Sequence, residues 1–74
     1  MSERQPRLTA KEVERVLSRS GFLMIAQSGS HRKWLNSDLR AMVIVPLHAG
    51  KVLPIGTMRQ IMKASGIPDQ DWRV

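Results

Sequence analysis

The sequence contains no cysteine and no tyrosine, and its only aromatic side chains are one phenylalanine and two tryptophans. Without cysteine the chain has no disulfide, no thiolate metal ligand and no cysteine nucleophile, a composition that suits the reducing cytoplasm. So few aromatic side chains argue against a stacking platform for single-stranded bases. These absences exclude several classes of site before any motif is considered.

Long apolar runs are also missing. No run approaches the roughly 18 residues that a membrane-spanning helix needs. The first six residues lack the apolar core of a signal peptide, and no Gly-rich phosphate loop of the nucleotide-binding kind is present. We therefore expect a soluble, cytoplasmic protein with no membrane partner.

Acidic residues are few. Six Asp and Glu stand against 12 Lys and Arg, which gives a formal charge of +6 over 74 residues. Such an excess on a small domain indicates an anionic partner, either nucleic acid, anionic lipid or an acidic protein, and charge alone does not choose among them. The hydrophobic content of 42% is that of a globular chain. We expect a flexible lead at residues 1–8 and a single domain at residues 9–74.

The start of this domain predicts an amphipathic helix. Thr9 and Glu12 have the spacing of a capping box, in which each side chain bonds the other residue's backbone amide. Gly21 supplies the left-handed residue that ends a helix. The polar positions, Glu14 among them, are assigned to the solvent-facing side. The apolar positions recur at helical spacing: Val13, Val16 and Leu17.

Three short segments separated by turn residues predict strands. They cover residues 22–27, 31–35 and 41–45. Short turns join them, so they form an antiparallel meander.

A loop at residues 47–56 follows the third strand. Thr57 and Gln60 then repeat the capping box of a second helix, and Gly66 ends it. The order α-β-β-β-α predicts a small α+β fold with both helices on one face of a three-stranded antiparallel sheet. This topology matches that of a double-stranded-RNA-binding domain.

Alternation along the second strand divides its side chains between the two faces of the sheet. His31 and Lys33 share one face, and Arg32 and Trp34 share the other. If Trp34 packs under the helices, His31 and Lys33 face outward, whereas the opposite parity buries His31. By position alone, His31 is most simply a partly exposed or hydrogen-bonded strand histidine, because a single histidine is a weak sign of a site.

Other candidate groups are weaker. His48 lies in the loop after the third strand, where it has either a structural role, bonded to nearby backbone, or a role as an acid or base. Two histidines with Asp38 as the only nearby carboxylate do not favour a catalytic zinc site, which normally has three protein ligands, so no metal or cofactor is predicted. Ser30 beside His31 is rejected as a nucleophile because adjacent strand residues point to opposite faces.

Cations gather in the strand and loop region, where acidic residues do not balance them. A basic open sheet can hold several phosphates. The residues concerned are Arg32, Lys33, Arg40 and Lys51.

An ordered set of glycine, proline and histidine elements resembles the HicA family of toxins over about residues 9–67. The elements are Gly21-Phe22, Gly29-Ser30-His31, Val45-Pro46-Leu47-His48 with Lys51, Gly56-Thr57-Met58, Ile61-Met62-Lys63 and Ala64-Ser65-Gly66-Ile67. The resemblance implies a metal-independent endoribonuclease with the double-stranded-RNA-binding-domain fold, which cleaves messenger RNA and is blocked by a HicB antitoxin. It implies nothing for the leading residues or for the tail after Ile67.

The resemblance also implies that His31, in the Gly-Ser-His motif, is the catalytic histidine, acting as general acid or base. His48 is the candidate second acid or base. The residues expected to contact RNA are Gly29, Ser30, Arg32, Lys33 and Lys51. The alternatives are a non-catalytic RNA-binding module of the same fold and an interaction protein whose basic face serves an acidic partner.

Overall fold

A computed structural model describes residues 5–73. The elements follow the predicted order, which confirms the α+β fold. They are α1 (Ala10–Arg19), β1 (Leu23–Ser28), β2 (His31–Asn36), β3 (Ala41–Pro46), α2 (Ile55–Ser65) and a final 3-10 turn (Asp69–Asp71). Within the described residues, no helix has the length and hydropathy to cross a membrane.

The predicted capping box begins α1. The Thr9 amide donates to Glu12 Oε1 over 2.9 Å, and the Glu12 amide donates to Thr9 Oγ1 over 3.2 Å. Gly21 follows the helix with φ of +93°, in the left-handed region that L side chains avoid. The predicted start and end of this helix are both confirmed, and after Gly21 the chain enters β1.

The three strands form one antiparallel sheet in the order β1-β2-β3. Val43 and Val45 of β3 lie in the same buried cluster as residues of α1 and α2, so both helices cover one face of the sheet. Trp34 of β2 packs against this cluster. The parity that places His31 and Lys33 on the uncovered face, here called the open face, is therefore confirmed.

An irregularity in β1 changes which of its residues reach the open face. Met24 pairs with Trp34 and Ala26 pairs with Lys33, so Ile25 is an extra residue between two regular pairs. Cross-strand partners point to the same side of a sheet. The bulge therefore places the small side chains of Ala26 and Ser28 beside Lys33 and His31.

The second helix starts three residues earlier than predicted, because its N-cap is Pro54 and not Thr57. Pro54 is its N-cap, with φ of −56° and no side-chain hydrogen bond, so the predicted Thr57–Gln60 capping box is wrong. The helix starts at Ile55 because the Pro54 carbonyl accepts the Met58 amide over 2.9 Å. Gly66, with φ of +70°, ends the helix as predicted.

Both ends of the described chain contact the core. Leu8 is buried, and its carbonyl accepts the Leu53 amide over 2.8 Å. Trp72 is buried after the 3-10 turn. The predicted lead at residues 1–8 lies outside the described residues for its first four positions, and the division between lead and domain stays a prediction.

Candidate functional site

His31 is the first residue of β2 and follows the two-residue turn Gly29–Ser30. Its neighbours across the sheet are Ser28 on β1 and Pro46 on β3, and its side chain is exposed on the open face. The Leu47 amide donates to the Ser30 carbonyl over 2.6 Å, which ties the end of β3 to this turn. The imidazole is thus carried by a strand that is paired on both sides.

Lys33 lies two residues further along β2, on the same face, and is half-buried between Ala26 and Ile44. A shallow pocket of about 150 Å³ opens beside it, which we call the histidine pocket. Its lining residues are Ala26, Ser28, His31, Arg32, Lys33 and Ile44. The pocket is bordered by His31 and two cationic residues, of which Lys33 shares the open face with His31.

Arg32 belongs to the opposite face and is held by two acceptors. Its Nη1 donates to Glu14 Oε1 over 2.8 Å, and its Nε donates to Gln27 Oε1 over 3.3 Å. The Arg32 side chain is 35% exposed, whereas that of Glu14 is only 10% exposed. Arginine carries five N–H donors, so donors remain free for an anion after these two bonds.

Glu14 corrects one expectation, because the sequence placed it on the solvent-facing side of α1 and the structure buries it. Its Oε2 accepts the Trp34 indole N–H over 3.0 Å, while Oε1 accepts from Arg32. The carboxylate therefore joins α1 to two alternate residues of β2, which share the covered face of the sheet. A signal was available: Glu14 lies four residues after Ala10 and three before Leu17, both buried, and residues at these spacings share a helix face.

His48 lies in the loop between β3 and α2 and is exposed. It borders a second pocket, of about 350 Å³, between the first turn of α1 and this loop, which we call the loop pocket. Arg32 borders both the loop pocket and the histidine pocket. The histidine pocket is therefore bordered by His31, Arg32 and Lys33, whereas His48 borders the neighbouring loop pocket.

The remaining predicted RNA contacts are exposed but lie apart from the two pockets. Gly29 and Ser30 form the turn that leads into His31, with Gly29 at φ of +56°. Lys51 is exposed in the loop, where its amide donates to the His48 carbonyl over 3.0 Å. Lys51 borders neither the histidine pocket nor the loop pocket.

The arrangement suits proton transfer next to an anion. A histidine side chain can give or take a proton near neutral pH, and the ammonium of Lys33, on the same face, can stabilise negative charge close to it. Across residues 5–73, no group of three or more His, Asp or Glu side chains is placed to hold a metal ion.

Comparison with known proteins gave one family. The family model described as HicA toxin of bacterial toxin-antitoxin matches residues 10–67. The matched segment begins at the first residue of α1 and ends just after Gly66, so it contains the whole sheet, both helices and His31. A search of the curated proteins returned no match.

Proposed function

The chain belongs to the HicA family of toxins from bacterial toxin-antitoxin systems, and from this premise we propose that it is a metal-independent endoribonuclease that cleaves messenger RNA in the cytoplasm. In this proposal His31 is the general acid or base. The observation that carries the proposal is the exposed imidazole of His31 in one pocket with Lys33, on a strand paired on both sides.

RNA carries its own nucleophile, the 2′-hydroxyl next to each phosphodiester. His31 takes the proton of this hydroxyl, the 2′ oxygen bonds to phosphorus, and the bond between phosphorus and the 5′ oxygen breaks. The 5′ oxygen then takes up a proton, from Lys33 directly or through water. The products are a 2′,3′-cyclic phosphate and a 5′-hydroxyl, and the positioned base contributes about 10² to 10⁴ in rate.

Charge development decides which other side chains act. Negative charge grows on the phosphate oxygens as the 2′ oxygen attacks, and preorganised cations at that place lower the barrier. Lys33 shares the face and the pocket of His31 and supplies this charge, and Arg32, which also borders the pocket, contacts the RNA. Gly29, Ser30 and Lys51, exposed around this end of the sheet, contact the RNA on either side.

We propose further that a HicB-like antitoxin neutralises this chain by covering the open face. Three apolar side chains of β1 and β3 support this, since Leu23 is 72% exposed, Met42 48% and Ile44 47%. Contiguous exposed apolar groups typically mark an interaction surface. An antitoxin bound there also closes the histidine pocket, because Ile44 belongs to both.

The experiment is incubation of the purified protein with end-labelled RNA, followed by analysis of the product ends. We expect shortened RNA whose upstream fragments end in a 2′,3′-cyclic phosphate. RNA that is retarded in a gel but remains intact would instead favour a non-catalytic RNA-binding module. Fragments ending in a 3′-hydroxyl and a 5′-phosphate would contradict attack by the 2′ oxygen.

A further inference from the structure

The loop pocket is larger than the histidine pocket and has a different lining. Its volume of about 350 Å³ falls at the lower end of the roughly 300 to 1,000 Å³ of small-ligand sites. The histidine pocket, at about 150 Å³, is less than half as large. The loop pocket is therefore the one of these two with room for a whole nucleotide.

The lining combines apolar walls with cations. Ala10, Leu47 and Ala49 are apolar, and Lys11, Arg32 and His48 are basic. Glu14 also borders the pocket, but each of its carboxylate oxygens already accepts a hydrogen bond, one from Arg32 and one from Trp34. With the Glu14 charge balanced by Arg32, the exposed ammonium of Lys11 leaves the pocket positive.

Arg32 is a lining residue of both pockets, so the loop pocket and the proposed site of cleavage are neighbours. Its Nε and Nη1 donate to Gln27 and Glu14, so the guanidinium is fixed on the covered face, beside the loop pocket that Glu14 also borders. The route between the pockets is the end of the sheet, where Pro46 pairs with His31 and the next residues, Leu47 and His48, border the loop pocket. An RNA strand whose phosphate lies beside His31 can thus place its neighbouring nucleotide past the end of β3.

We propose that the loop pocket binds one nucleotide of the RNA strand that is cleaved beside His31. The sugar and base lie against Ala10, Leu47 and Ala49, and the phosphate of this nucleotide is bound by Lys11. This inference rests on the proposed function. It gives His48 a role in contacting RNA and none in transferring the reaction's protons.

The test uses the full chain carrying His31→Ala, so that RNA is bound without being cut. Lys11→Gln is compared with Lys63→Gln, because both remove one positive charge from an exposed lysine on a helix. Lys63 borders neither pocket. A positive charge near the N-terminus of a helix interacts unfavourably with the helix dipole, so removing Lys11 does not destabilise α1. We therefore expect Lys11→Gln to fold, and circular dichroism checks this.

The measurement is the affinity for a short fluorescent single-stranded RNA at several salt concentrations. We expect Lys11→Gln to bind more weakly than Lys63→Gln and to lower the steepness of the salt dependence by about 0.7, the value for one lost phosphate contact on a single strand. Equal affinities and equal slopes would overturn the proposal. Failure of the His31→Ala protein to bind RNA at low salt would overturn it as well.

A second measurement separates a nucleotide from a bare phosphate. Adenosine 5′-monophosphate should shift the amide resonances of Ala49 and Gly50 in the loop, and inorganic phosphate should shift them much less. Equal shifts with both probes would overturn the nucleotide assignment. Cleavage by the His31→Ala protein at the unmodified rate bears on the proposed function alone, so the two failures are distinguishable.

Discussion

Replacement of Glu14 by Ala tests how much the hydrogen bonds between α1 and β2 stabilise the fold. The change removes two acceptors at once, for Arg32 Nη1 at 2.8 Å and for the Trp34 indole at 3.0 Å. A hydrogen bond to a charged group contributes about 1.5 to 3 kcal/mol. Because the Arg32 side chain is 35% exposed and regains water, we expect a total loss of about 2 to 4 kcal/mol rather than the full sum.

This loss is large for a chain of 74 residues. At about 0.05 to 0.15 kcal/mol per residue, its whole free energy of unfolding is roughly 4 to 11 kcal/mol. A loss of about 3 kcal/mol corresponds to a fall in Tm of roughly 12 to 24 °C for a domain of this size. Urea unfolding followed by tryptophan fluorescence measures the free energy directly.

Two further variants identify the cause. Arg15→Ala changes the next, exposed residue of the same helix and should stay within about 0.5 kcal/mol of the unmodified protein. Glu14→Gln keeps one acceptor but turns an amide N–H towards Arg32 or Trp34. Its free energy of unfolding should therefore lie between those of the Glu14→Ala and Arg15→Ala proteins. Equal stabilities of the Glu14→Ala and Arg15→Ala proteins would refute this account of the carboxylate.

Three other predictions concern the pocket, the tail and the metal. Ala26→Leu fills the histidine pocket of about 150 Å³ and should slow RNA cleavage by about tenfold to a hundredfold without lowering Tm, since Ala26 is exposed; unchanged cleavage would contradict it. Trp72→Ala empties a buried position and should cost about 3 to 5 kcal/mol in urea unfolding, while a loss below about 1 kcal/mol would show that the tail does not close the core. Cleavage should continue in excess chelator, and activity lost in chelator and restored by zinc would overturn the metal-free proposal.

Predictions from the sequence succeeded where the cause is local. Thr9 and Glu12 form their capping box within one turn of the chain, because α1 starts directly after Thr9. Thr57 and Gln60 have the same spacing and form none, because α2 has already started at Ile55. Gly21 and Gly66 take positive φ values that other residues disfavour. Alternation along β2 separates His31 and Lys33 from Trp34 because nothing interrupts the register between β2 and β3.

Predictions failed where the cause lies in another part of the chain. The bulge at Ile25 lies within an apolar run, and no glycine or other residue in that run indicates it. Simple alternation along β1 therefore does not show that Ala26, and not Ile25, lies beside Lys33. Glu14 is buried because Arg32 and Trp34 donate to it. Its spacing from Ala10 and Leu17 indicates the helix face on which it lies, but neither donor is apparent until α1 is placed over the sheet.

The central claim is that His31 carries out proton transfer in RNA cleavage, and its most direct test is the cleavage rate of the His31→Ala protein. His31 is exposed, so we expect the variant to keep its fold and Tm and to lose about 10² to 10⁴ in rate, together with growth arrest in cells. Lys63→Ala is the control, because Lys63 lies in α2 and borders neither pocket. This variant should cleave RNA at the rate of the unmodified protein. Undiminished RNA cleavage by a folded His31→Ala protein would contradict the account.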